Sequence, residues 1–244
     1  MTEILGTGAR ARVIRDSDDA LKLYQPETDK ASVFYEAYIH ALIEPTGLPI
    51  AKIHAVEQRD GQWALRMDLI GGPLLADAFL RQADQVPVLL QRFVELQQRI
   101  HRQRLALPCR LKTLLQGKLA RLADQLPSDL LRQLAEQLAA LPDGDALCHG
   151  DYHPLNVIVN EAGLHVIDWF DASLGDRAAD VCRSYLILRI HAPPLAAAYL
   201  EIYCATAGIA QQDVLRWLPV IAAARLTEEL SAERDALLAL LALR

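Results

Sequence analysis

A chain of 244 residues can bury a substantial core, and a composition that is 52% hydrophobic and 23% charged excludes a disordered polymer. A formal net charge of −6 argues against a general binder of nucleic acid or anionic membrane, since both select basic surfaces. The same charge would suit a cationic small molecule as partner. Cys109, Cys148, Cys182 and Cys204 are scattered without Cys-x-x-Cys or zinc-like spacing, which reads as reduced thiols. The N-terminal sequence has no signal-peptide character, and the longest uncharged apolar run, over 236–243, is too short to span a bilayer. The expectation is a cytoplasmic protein.

Two short β-like runs, 12–15 and 20–24, flank a turn at Asp16-Ser17-Asp18-Asp19. A helix is predicted over 30–43, with Phe34, Tyr38, Ile39 and Leu42 near helical spacing, ended by Pro45-Thr46-Gly47. Strands are predicted over 53–58 and 63–69 around Arg59-Asp60-Gly61. Ile70-Gly71-Gly72-Pro73 is the strongest break in the chain, and beyond it the sequence turns Leu-, Ala- and Gln-rich. Amphipathic helices are predicted over 86–104, 111–126 and 130–141, cut to ordinary lengths by Pro108, Pro127 and Pro142. The expected fold class is α+β with two lobes. Residues 1–70 would form a small β-rich N-terminal lobe, and 71–244 a larger, mainly helical lobe.

The chemistry concentrates between Leu147 and Trp169. Gly150 and Pro154 exclude regular helix around His149-Gly150-Asp151, so that segment is a loop. Val157-Ile158-Val159 and Leu164 to Ile167 form a hairpin about Asn160-Glu161-Ala162-Gly163. The hairpin brings Asn156 close to Asp168, and the loop feeds Asp151 into the same corner. Two carboxylates and an amide at one point suit phosphoryl transfer. Magnesium takes few protein oxygen ligands, and a further carboxylate can hold or deprotonate a hydroxyl. A transition-metal hydrolase site built from His149, Asp151, His153, His165, Asp168 and Asp171 is the competing reading. His149 and His153 flank Gly-Asp and a Pro, however, and do not share a helical face.

His149-Gly150-Asp151, Asn156 and Ile167-Asp168-Trp169 together resemble the catalytic signature of the aminoglycoside phosphotransferase and choline kinase family, which has the protein-kinase-like fold. The resemblance implies ATP and Mg2+ as cofactors, Asp151 as the catalytic carboxylate, and Asn156 and Asp168 as metal ligands. It makes His149 a loop-organising residue. Gly175-Asp176-Arg177-Ala178-Ala179-Asp180 is similar to the family segment whose last Asp, here Asp180, braces the catalytic loop; Arg177 stands where Pro is usual.

For the nucleotide, the resemblance points to Gly6 and Gly8 in a shortened glycine-rich loop, 5–13, where the third glycine of the kinase pattern is absent. Lys22 would bind phosphates and Glu36, fourteen residues on, would pair with it. Alternation sets Lys22 beside Ala20 and Tyr24 without deciding which way that face looks. Backbone between Asp68 and Ile70 would contact adenine. The acceptor implied by the resemblance is a hydroxylated small molecule. Asp171, Asp176, Glu228, Glu229, Glu233 and Asp235 are the acids that would attract an aminoglycoside or another amino-sugar or amino-alcohol cation. A protein kinase is disfavoured by His-Gly-Asp and Ile-Asp-Trp in place of His-Arg-Asp and Asp-Phe-Gly. A catalytically silent scaffold would be expected to have lost Lys22, Asp151, Asn156 or Asp168, and all four are present.

Overall fold

The computed structural model describes residues 3–8 and 10–242. Met1, Thr2 and the end of the apolar run at Leu243 lie outside them, as does Ala9 of the glycine-containing loop. The contacts divide the chain into two compact units, residues 1–84 with 154–171, and residues 85–153 with 172–244.

The first unit is built on a five-stranded antiparallel sheet in the order β1-β2-β3-β5-β4. Its strands are β1 (Ile4–Thr7), β2 (Ala11–Asp16), β3 (Asp19–Tyr24), β4 (Ile53–Arg59) and β5 (Gln62–Asp68). The β2–β3 turn is tighter than the sequence suggested. Asp16 pairs with Asp19, leaving Ser17 in the left-handed region at φ 61°. Helix α1 (Lys30–Ile43) starts where Asp29 accepts from the Ser32 amide at 2.9 Å, an N-cap worth about 1 kcal/mol. It stops at a short 3-10 turn that carries Pro45 and ends on Gly47. Its Val33 packs with Ala11, Tyr24 and Leu65 on one face of the sheet, while Ile14, Leu21, Leu23 and Ala64 form a separate cluster. Strand β3 is therefore covered on both sides, which is why alternation alone could not orient Lys22.

Three features tie the later hairpin, β7 (Val157–Asn160) with β8 (Gly163–Val166), to this unit. The Val159 amide donates to Pro73 O at 2.9 Å, the Val166 amide to Pro49 O at 2.9 Å, and the Asn160 side chain to Gly71 O at 3.0 Å. Gly72, at φ 132°, lies so close that a Cβ would stand 2.1 Å from Val159 O, so the tight approach admits only glycine. Helix α2 (Leu75–Arg81), which the sequence reading did not separate from the break before it, belongs here too. The composition shift after Ile70 thus marks a change of local structure, while the compact unit runs on to residue 84.

The second unit is helical. It contains α3 (Val86–His101), α4 (Leu111–Ala120), α5 (Ser128–Ala140), α6 (Arg177–His191), α7 (Pro193–Ala207), α8 (Gln211–Leu215), α9 (Leu218–Leu226) and α10 (Ser231–Ala242). A two-stranded ribbon of β6 (Ala146–Cys148) and β9 (Ser173–Gly175) is set among them. Helix α4 ends earlier than predicted and passes into turns from Arg121. No described helix is long and apolar enough to cross a membrane.

Candidate active site

In the first unit, Lys22 projects from β3 to two carboxylates. Its Nζ lies 2.6 Å from Glu36 Oε1 on α1 and 3.1 Å from Asp168 Oδ1 beyond β8. Tyr24, two residues along the same face of β3, donates its hydroxyl to Glu36 Oε2 at 2.8 Å, so each Glu36 oxygen has a donor. Burial alone would lower the Lys22 pKa, but Asp168 and Glu36 outweigh it and raise it, keeping the ammonium charged. The Lys22 side chain is 14% exposed and that of Glu36 6%, whereas that of Asp168 is 46% exposed and reaches solvent.

The hairpin sets Asp168 beside Asn156. The Val157–Val166 pair closes the ladder at that end, and the Ile167 amide donates to Asn156 O at 3.0 Å. Asp168 has φ 63°, a left-handed conformation that Asp and Asn tolerate better than most residues. Asn156 is buried on a 3-10 turn just before β7. A carboxylate and an amide oxygen form a hard-donor set, which fits magnesium and suits zinc poorly. Among the described residues no group of three or more His, Cys, Asp or Glu could hold a metal ion.

Asp151 belongs to the second unit, on a loop pinned from both sides. Gly150, at φ 83°, donates its amide to Asp180 Oδ1 at 2.7 Å. Asp180 Oδ2 meets His101 Nε2 at 2.9 Å and Gln97 Nε2 at 3.1 Å, two side chains one turn apart on α3. A carboxylate can only accept, so His101 Nε2 carries the proton. In the neutral ring Nδ1 then accepts from the Tyr203 hydroxyl, 2.6 Å away. Burial would raise the Asp180 pKa, but the bonds from His101 and Gly150 hold it below the ordinary carboxylate range. The Asp151 amide donates to His149 Nδ1 at 3.2 Å, and the Tyr152 ring stacks on Phe93 with its hydroxyl on Phe93 O at 2.8 Å.

The Asp151 carboxylate faces cations. Arg183 Nη2 is 2.8 Å and Arg225 Nη1 3.7 Å from Oδ1, and His153 Nε2 is 3.2 Å from Oδ2. Burial pushes the carboxyl pKa up, yet Arg183, His153 and Arg225 together hold it well below the usual carboxylate range. Sequence reasoning missed both arginines. Arg225 has a signal, a lone charge in the apolar run Ala222-Ala223-Ala224-Arg225, while Arg183 shares its helix with Arg177, Asp180 and Arg189 and does not stand out.

Other expected site residues have local duties. Asp176 is the N-cap of α6, its Oδ1 accepting from the Ala178 amide at 2.9 Å. Glu228 takes Arg183 at 2.7 Å and Arg225 at 2.9 Å, so it is spent on internal cations. Glu233 is buried against Arg225 and His191. Glu229 is exposed, and Asp171 is partly exposed at the end of the first unit's segment. Asp68 accepts from the Lys52 amide at 2.9 Å and meets His54 Nε2 at 2.9 Å, while its own amide donates to Lys52 O. Gly6 lies within β1, and the Gly8 amide donates to Ala11 O at 2.8 Å inside the β1–β2 hairpin. Neither glycine has a positive φ, and a Cβ would fit at both, so the hairpin itself does not require glycine there.

Lys22→Met removes the cation between two carboxylates. A fall of about 100-fold or more in kcat/KM for nucleotide, about 3 kcal/mol, is expected. Steady-state kinetics with a circular-dichroism melt as folding control checks it; an unchanged kcat/KM would exclude a nucleotide role for the residue.

The model of the phosphotransferase enzyme family matches residues 2–219 of this chain. No curated protein matches it. Among solved structures, a choline/ethanolamine kinase family protein from Mesorhizobium loti is 19% identical with TM-score 0.68, covering 97% of this chain and 81% of its own. An aminoglycoside phosphotransferase from Streptomyces rimosus, in complex with ADP and streptomycin, is 18% identical with TM-score 0.66, covering 91% and 92%. An amicoumacin kinase in complex with AMP-PNP and Ca2+ is 16% identical with TM-score 0.68, covering 98% and 86%. The fold is that of these kinases.

Proposed function

Since the chain belongs to the phosphotransferase enzyme family, we propose that it moves the γ-phosphate of ATP, with magnesium, to a hydroxyl of a small molecule. The observation that carries this reading is the Lys22–Glu36–Asp168 constellation, an ammonium held at 2.6 and 3.1 Å between a buried and a solvent-reaching carboxylate. Such an ammonium, kept charged and fixed in direction, is a donor for the phosphates of a nucleotide. Gly6 and Gly8 support the reading because close approach of a phosphate chain is a reason for glycine that the hairpin does not supply. Asp68 and Ile70 would offer backbone groups to adenine, with the Asp68 side chain left to tie β5 to Lys52 and His54.

Asn156 and Asp168 would hold magnesium, which when bound neutralises charge on the phosphates. Lys22 would pass from Asp168 to the phosphate oxygens while Glu36 and Tyr24 keep its direction. Asp151 would accept a hydrogen bond from the acceptor hydroxyl and so orient its oxygen for in-line attack. Its depressed pKa makes it a weak base, which suits orientation and late proton transfer better than early abstraction. Gly150, Asp180 and His101 would fix the loop. Little covalent chemistry is asked of these side chains; the rate comes from positioning.

The acceptor class that fits is an aminoglycoside or another amino-sugar or amino-alcohol, with Asp171 and Glu229 as acids reachable from solvent. The test is ADP release with MgATP across aminoglycosides, choline, amino sugars, glycated amines and simple alcohols, with product mass read by spectrometry. One compound gaining a phosphate only with active protein is expected. ADP release with no phosphorylated product would count against a small-molecule acceptor, and nucleotide binding with no turnover anywhere would favour the silent scaffold.

A further inference from the structure

Two arginines from different helices reach Asp151 and are themselves held from behind. Arg183 on α6 uses one nitrogen, Nη2, for both Asp151 Oδ1 at 2.8 Å and Glu228 Oε1 at 2.7 Å. Arg225 on α9 places Nη1 2.9 Å from Glu228 Oε2 and 3.7 Å from Asp151 Oδ1. The far side of Arg225 is taken by Glu233, through Nη2 to Oε1 at 2.7 Å and through Nε to Oε2. Glu233 in turn meets His191, and Glu228 meets Lys118. Both arginines are nearly buried, at 6% and 5% exposure, whereas the Asp151 side chain is 27% exposed. The two arginines are thus the buried centre of the network, and the carboxylate expected to meet the acceptor is one of its more exposed members.

The contacts divide unequally between the two Asp151 oxygens. Oδ1 faces both guanidiniums, while Oδ2 faces His153. A carboxylate held by charged donors in this way loses the freedom to rotate, and its direction is fixed. Glu228 bridges the two guanidiniums and offsets their mutual repulsion. A buried pair of arginines without these anchors would repel, and each would pay a large desolvation cost.

We propose that Arg183 and Arg225, anchored by Glu228 and Glu233, are positioning residues that hold Asp151 through Oδ1 in the direction the acceptor hydroxyl requires. The inference rests on the phosphotransferase reading for its consequence in rate, but the clamp is a property of the second unit alone. It also gives Glu228 a different task from recognising a cationic acceptor. The outcome for specificity is that the acids around Asp151 are already matched by cations, so recognition of charge on the acceptor must come from elsewhere.

The test has two arms. In 15N spectra of the arginine side chains, Asp151→Asn should shift or broaden the Arg183 guanidinium signals strongly and leave Arg225 Nε, held by Glu233, much less affected. In kinetics, Arg183→Lys keeps a charge but loses the planar fork. It should lower kcat about 10- to 100-fold with nucleotide KM within about 2-fold and little change in Tm. Glu228→Gln, which loosens the support without touching Asp151, should lower kcat by a smaller factor. Arg183 signals indifferent to Asp151→Asn, or an Arg183→Lys protein that loses Tm but keeps kcat, would overturn the clamp. If the wild-type protein transfers no phosphate at all, the phosphotransferase reading fails, and the spectra still decide whether Asp151 is clamped.

Discussion

Asp168→Asn is expected to cut MgATP-dependent phosphate transfer by about 1,000-fold or more, roughly 4 kcal/mol of transition-state stabilisation. Asparagine is the informative replacement. At φ 63° an alanine would add backbone strain of about 1–2 kcal/mol, whereas asparagine tolerates the left-handed region and keeps the shape. What it removes is the charge that faces Lys22 at 3.1 Å and would face magnesium. Because the side chain is 46% exposed, the fold should survive, and Tm should stay within a few degrees of wild type. The magnesium dependence of the residual rate should weaken along with kcat. Activity within a few-fold of wild type, in protein that melts normally, would remove Asp168 from the metal site.

The second large effect is expected at Asp151. Asp151→Asn should lower kcat by about 100- to 10,000-fold while leaving nucleotide affinity and the magnesium requirement near wild type. The reason is its place: Asp151 stands on the loop pinned by Asp180 and Tyr152, in the helical unit, with Arg183 and Arg225 as its charged neighbours. Its carboxylate is held ionised far below neutral pH, so any loss of rate on mild acidification must come from another group. Comparing the two variants separates the roles. Asp168→Asn should alter both metal dependence and kcat, Asp151→Asn kcat alone. Equal loss of nucleotide binding in both would contradict the division of labour.

Much of this arrangement was legible because local chemistry leaves few choices. Gly150 and Pro154 forbid helix, the Asn160–Gly163 turn dictates a hairpin, and the hairpin register sets Asn156 opposite Ile167, the residue before Asp168. Helix α1 begins and ends where its cap and proline require. What escaped was of two kinds. Strands β6 and β9, three residues each, and the seven-residue α2 are too short to carry a period, and tertiary contacts decide them. Long-range partners escaped as well: nothing near Arg183 announces Asp151, thirty-two residues away, or shows that Glu228 faces inward. The capping role of Asp176 did have a local signal, an Asp directly before a helical run.

The most direct measurement needs no acceptor: calorimetric titration of AMP-PNP into the wild-type protein and Asp168→Asn, each with magnesium and with a chelator. The account predicts one saturable site in the wild type that weakens sharply when magnesium is removed, and a much smaller magnesium effect in Asp168→Asn. No binding by folded wild-type protein, or binding indifferent to both magnesium and the substitution, would contradict it.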